Sequence, residues 1–123
     1  MKMSRKDAET AVSHAIVQFE KEFLGRGPLE VKTYIQDDIV LVRLKGVLTP
    51  AEYQIGKSNE SRRGRRLVKE MRQQLIESGR PLLENSMREI FDKDVVSLHT
   101  DISTKTGERV IVFTFGQKFD FSD

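Results

Sequence analysis

Apolar residues recur along this chain with two different periods, and the changes of period mark out its elements. Ala8, Val12, Ala15, Ile16, Phe19 and Phe23 follow one another at the spacing of a single helical face. Ser4 with Asp7 resembles a capping box, and Gly25-Arg26-Gly27-Pro28 supplies residues that end a helix, so a helix is predicted over 4–24. The period then shortens to strand alternation. Leu29, Val31, Thr33 and Ile35 alternate with Glu30, Lys32 and Tyr34, a turn follows at Gln36-Asp37-Asp38, and Ile39 to Lys45 returns with Val40, Val42 and Leu44 on one face.

Gly46-Val47-Leu48-Thr49-Pro50-Ala51-Glu52 hands this hairpin over to a long helical region. Thr49 suits the cap, Pro50 the first turn, and Glu52 completes a Thr-x-x-Glu capping box, three residues whose role is read as structural. Helical spacing continues to about Phe91 through Leu67, Met71, Leu75, Leu82, Met87 and Ile90, taken as the buried stripe. Ser58-Asn59-Glu60-Ser61 predicts a bend or short break, and Pro81 predicts a kink rather than a stop, because the stripe keeps its phase across it. Val96, Leu98, Thr100 and Ile102 then share a strand face, Ser103 to Gly107 turn, and Ile111, Phe113 and Phe115 return.

The predicted fold is α+β in order α-β-β-α-β-β: an antiparallel four-stranded sheet with helices on one face, the second helix long and kinked. One domain is expected over 4–116, with 117–123 a loose tail anchored only by Phe119 and Phe121. If Val40, Val42, Leu98, Ile111 and Phe113 face the helices, the opposite face carries Tyr34, Ile39, Leu41, Val95, His99, Val110 and Val112. So apolar a face predicts burial against a second copy, sheet on sheet, as a homodimer.

Composition narrows the function classes. The 123 residues carry 21 basic and 19 acidic side chains, a net charge of +2, so any electrostatic footprint must be local. Cysteine is absent, which excludes disulfides, thiolate metal sites and cysteine nucleophiles. No apolar run is long enough to span a membrane and the basic start has no apolar core behind it, so a cytoplasmic protein, at most peripheral to a membrane, is expected.

The densest charge lies in Arg62-Arg63-Gly64-Arg65-Arg66-Leu67-Val68-Lys69-Glu70-Met71-Arg72. On a helix, Arg62, Arg66, Lys69 and Arg80 lie opposite the predicted apolar stripe, while Arg65 and Arg72 flank that stripe. Such a face suits a phosphate backbone, acidic lipid headgroups or an acidic partner, or is simply solvated. No aromatic for base stacking precedes Phe91 on this helix, which disfavours nucleic acid. Gly25-Arg26-Gly27-Pro28 follows a helix and lacks a Walker lysine, so it reads as a helix end and not a phosphate loop. His14 falls on the polar side of its helix. His99 shares a face with Asp101, but no nucleophile or further ligand accompanies them, so no catalytic residue, metal or cofactor is assigned.

Taken together, several signals resemble one family. They are Gly25-x-Gly27-Pro28, Gly46 to Glu52, Gly64-Arg65-x-Leu67-Val68-Lys69-x-x-Arg72 and Asp101-Ile102-Ser103-x-x-Thr106-Gly107-Glu108-x-Val110-x-Val112-Phe113. The family comprises small prokaryotic proteins named for the third component of a sodium-translocating, membrane-potential-generating system, and the resemblance covers roughly 5–115. It implies an accessory role beside membrane proteins of cation or inorganic-carbon transport, and it transfers no catalytic residue. The expectation is a non-enzymatic interaction module binding a partner, such as a membrane transport complex, through Arg62, Arg65, Arg66, Lys69 and Arg72. Nucleic-acid binding by the same helix is the alternative.

Overall fold

A computed structural model describes residues 3–57 and 61–123. The first helix, α1 (Arg5–Leu24), begins where the Ser4 hydroxyl accepts from the Asp7 amide at 3.0 Å. It ends at Gly25, whose φ of +83° lets the Gly25 and Arg26 amides turn back onto the Glu20 carbonyl. β1 (Glu30–Gln36) and β2 (Ile39–Lys45) form a hairpin across Asp37 and Asp38. After α2 (Pro50–Lys57) and α3 (Ser61–Phe91), β3 (Ser97–Ile102) and β4 (Arg109–Thr114) form the second hairpin. β4 pairs antiparallel with β2, so the sheet runs β1-β2-β4-β3.

The helices cover one face of this sheet, the α+β arrangement and element order that the sequence predicts. Val12, Ile16 and Phe19 of α1 and Val68, Ile76, Leu83 and Met87 of α3 close over Val40, Val42, Ile111 and Phe113. On the opposite face, the register aligns Tyr34, Leu41, Val112 and His99 in one row across all four strands. Lys32, Arg43, Val110 and Asp101 form the next row, so the outer face carries an apolar row beside a charged one.

Two expectations are corrected. The buried stripe of α3 is Gly64, Val68, Arg72, Ile76, Gly79, Leu83 and Met87, whereas Leu67 and Leu82 are 53% and 57% exposed. The helix is therefore rotated by about one residue from the predicted orientation. Gly64 and Gly79 explain why: a side chain on Gly64 would run into the Ile55 carbonyl of α2, and one on Gly79 would come within 2.5 Å of Phe19 of α1. Those notches set how closely both neighbours approach, and they fix which side of α3 faces inward.

Val95 precedes β3 and packs against the core instead of joining the outer face. Phe119 and Phe121, the two expected anchors of residues 117–123, pack half-buried against the core. The Phe119 ring sits 4.5 Å from Phe91 and 4.9 Å from Phe115, and the Ser122 amide donates to the Met3 carbonyl at 3.1 Å. Pro81 lies inside α3, which continues through it, and most of the predicted break at Ser58-Asn59-Glu60-Ser61 falls outside the described residues. Glu52 of α2 meets Arg72 while Ile55 meets Gly64, so α2 runs antiparallel along the first half of α3.

Candidate functional site

The capping box at the start of α2 forms as the sequence predicts. The Glu52 amide donates to the Thr49 hydroxyl at 3.2 Å, and the Thr49 amide donates to Glu52 Oε1 at 2.8 Å. The same carboxylate serves a second helix. Arg72 Nε and Nη2 donate to its two oxygens at 2.8 and 2.6 Å, and Nη2 also reaches the Val47 carbonyl at 2.8 Å. Burial works to raise the Glu52 pKa, but the Arg72 fork and the Thr49 hydrogen bonds outweigh it and hold the group below its ordinary value.

This fork overturns one predicted contact. Arg72, expected on the partner-binding surface, is 6% exposed, with its Nε and Nη2 committed to Glu52 and Val47. Arg62, Arg65, Arg66 and Lys69 do remain outside, and they line one wall of a groove of roughly 640 Å³. The opposite wall is the end of β3 and the turn into β4, including Asp101, Ser103, Lys105 and Glu108. Tyr53 of α2 holds that turn by donating to the Thr106 carbonyl at 2.9 Å.

The charges in the groove are not equally satisfied. Lys69 pairs across it with Asp101 at 3.3 Å, and Arg43 pairs with Glu108 at 2.6 Å. Among the described residues, no ion pair or hydrogen bond engages the side chains of Arg62, Arg65 or Arg66. They form an edge of unpaired arginines along the groove, which Glu70 and Lys105 also line.

Behind Lys69 and Asp101 the groove continues into a recess of about 240 Å³, whose wall includes Arg72, Gln73 and Arg109. Arg109 is 1% exposed, and its Nη1 donates to the Thr100 hydroxyl at 2.9 Å. Its Nε and Nη2 have no partner among the described residues. Glu20 of α1 is 2% exposed and its Oε1 is likewise unpartnered. Burial pushes the Glu20 carboxyl up, against the pull of Arg109 and Arg72, and burial lowers Arg109, against the pull of Glu20.

Sequence reading missed both groups, although periodicity carries them. Arg109 alternates inward with Ile111 and Phe113, and Glu20 follows Ile16 by one helical turn. His14 and His99 are exposed, and no hydrogen bond joins His99 to Asp101, which turns to Lys69 and to the Ile102 amide. No group of three or more His, Cys, Asp or Glu among the described residues could hold a metal ion. Tyr34, Ile39, Leu41, Val110, Val112 and His99 share the outer sheet face, as predicted, with Tyr34 and Ile39 the most open of its apolar residues.

The family model for the Na+-translocating membrane potential-generating system, MpsC, matches residues 4–117, nearly the whole chain. The chain belongs to the MpsC family. An uncharacterised *Bacillus subtilis* protein, YbcI, is 46% identical to it over 113 residues, covering 92% of this chain and 89% of that protein. A second uncharacterised protein of the same organism, YrhF, is 29% identical over 106 residues, covering 85% and 84%. No solved structure matches the chain. The MpsC match spans α1 to β4 and includes both walls of the groove, while most of the Phe119–Phe121 tail lies beyond it. Among the described residues no helix is long and apolar enough to cross a membrane.

Proposed function

We propose that this MpsC-family protein is a non-enzymatic accessory module, cytoplasmic and peripheral, that docks on a component of a membrane-potential-generating system. The contact is electrostatic: Arg62, Arg65, Arg66 and Lys69 meet an acidic surface of the partner. The observation that carries this reading is the unpaired state of three arginines on one groove edge, while Lys69, Arg43 and Arg72 each have an acid. Exposed arginines left without acids raise a local potential that speeds and orients association with an acidic surface. The outer sheet face serves self-association, with the row Tyr34, Leu41, Val112 and His99 at its centre.

The test is capture from native membranes with the tagged full chain, with and without nuclease. Wild-type protein is expected to retain integral membrane transport subunits after nuclease treatment. The variant Arg62→Glu/Arg66→Glu/Lys69→Glu is expected to lose them while its unfolding temperature holds, since these side chains are exposed. Retention by the variant removes this face from the contact. Loss of every captured species on nuclease treatment overturns the accessory reading in favour of nucleic acid.

A further inference from the structure

We infer that the free edge of β3 takes an extended acidic segment of a partner as a fifth strand, with Arg62, Arg65 and Arg66 holding its carboxylates. The order β1-β2-β4-β3 leaves the sheet two edges, and the chain treats them differently. Along β1 the edge is occupied by α1. The Ile35 amide donates to Glu9 Oε2 at 3.0 Å, and the Ser13 hydroxyl meets that of Thr33 at 2.7 Å. A helix laid against an edge in this way closes it to other strands.

Along β3 the edge stays open. The Ser103 amide donates to the Glu108 carbonyl at 2.8 Å, and the register pairs Asp101 with Val110 and His99 with Val112. Bonded and outward residues alternate along an antiparallel edge strand. Ser97, His99 and Asp101 therefore bond to β4, while Leu98, Thr100 and Ile102 turn their amides and carbonyls away from the sheet. The Ile102 amide shows that direction, since its acceptor is the Asp101 carboxylate at 2.8 Å and not β4. Among the described residues, nothing bonds the outward backbone groups of Leu98 or Thr100. Both residues are half-buried, and His99 between them is exposed.

This edge runs into the arginines. Asp101 and Ile102, at its end, line the groove opposite the first half of α3. There Asp101 Oδ1 accepts both from the outward Ile102 amide and from Lys69 Nζ, the latter at 3.3 Å. The chain thus already seats one carboxylate between the strand edge and the basic helix. A strand paired with Leu98 and Thr100 and continuing past Ile102 enters the groove of roughly 640 Å³, where Arg62, Arg65 and Arg66 have no acid among the described residues. Main-chain bonds to an edge accept many sequences, and the charges beside it select among them, here for carboxylates. The same arginines serve the docking role proposed above, on which this strand addition rests.

The probe is a fluorescent octapeptide of alternating glutamate and valine, with the alternating lysine–valine octapeptide as control, titrated into the full chain. Anisotropy reads binding, and amide hydrogen exchange by NMR reads where the peptide lies. Wild-type protein is expected to bind the acidic peptide and not the basic one. Arg62→Gln/Arg65→Gln/Arg66→Gln changes only exposed side chains and is expected to bind about tenfold more weakly, as the loss of three modest exposed ion pairs implies. At a peptide concentration about ten times the dissociation constant, exchange of the Leu98 and Thr100 amides is expected to slow about tenfold, since only the free fraction exchanges. Binding without that protection means a peptide resting on the arginines alone; it overturns the strand addition and leaves the docking role standing. Equal binding of the basic peptide overturns the acidic occupant, and no binding by wild type overturns both. Leu98 and Thr100 amides already protected without peptide, more so at higher protein concentration, give the edge to a second copy of the chain and overturn the inference as well.

Discussion

Glu52 is a single residue with two structural tasks, and its chemistry can be separated by substitution. Arg72→Met leaves a buried carboxylate without its cation, which costs about 3–5 kcal/mol. Glu52→Leu/Arg72→Met removes both charges and is expected to recover most of this, leaving a deficit near 1 kcal/mol for the lost cap. Urea denaturation of the two variants measures both values; equal losses would show that the fork contributes little. The pH dependence follows from the sign of the shift. Glu52 is held below its ordinary 4.5, so its stabilisation is present above about pH 4.5 and is lost as pH falls through the lower folded value. Glu20 has the opposite sign: its folded pKa is raised above 4.5, so it costs stability as pH rises from 4.5 through that raised value. The acid loss should be blunted in Arg72→Met and unchanged in Glu20→Gln.

The orientation of α3 is the element-level property that local sequence conceals. Its buried stripe contains two glycines and an arginine, while Leu67, Met71 and Leu82 stay exposed, so hydrophobic spacing points to the wrong side. What decides the matter is non-local: Glu52 for Arg72, Ile55 for Gly64, and Phe19 for Gly79. The strands were legible because alternation is a short-range signal and each hairpin is made of neighbours in the chain. The capping boxes were legible for the same reason. Arg109 and Glu20 obeyed the correct periods, but a charged residue at an inward position is normally read as an interruption. Gly79→Ala tests the notch. The added methyl meets Phe19 Cζ, and that ring is stacked on Phe23 at 5.2 Å. Overpacking of about 1–3 kcal/mol is expected to exceed the gain in helix propensity of up to about 1 kcal/mol. A raised unfolding midpoint would show that the two rings can re-seat freely.

At the scale of the whole molecule, the two faces of the sheet have different fates. One is closed over by α1 and α3, and the other presents Tyr34, Leu41, Val112 and His99 in a row, with Tyr34 and His99 exposed and Leu41 and Val112 half-buried. Analytical ultracentrifugation tests the self-association assigned to that row. Wild-type protein is expected to sediment as a dimer and Leu41→Glu as a monomer with a similar unfolding temperature. A wild-type monomer at high concentration would end the assignment.

The docked tail has a practical consequence. Phe119 rests on Phe91 at one end of α3, and Ser122 is hydrogen-bonded to Met3, so these two described segments meet there. Arg62 to Lys69 occupy the other end of a helix of 31 residues, roughly 46 Å long at 1.5 Å per residue. The protein is therefore polar in the mechanical sense. A fluorescent label or cross-linker placed beside Met3 or Ser122 sits at the pole opposite the groove, and the arginine edge stays free to face whatever surface is offered to it.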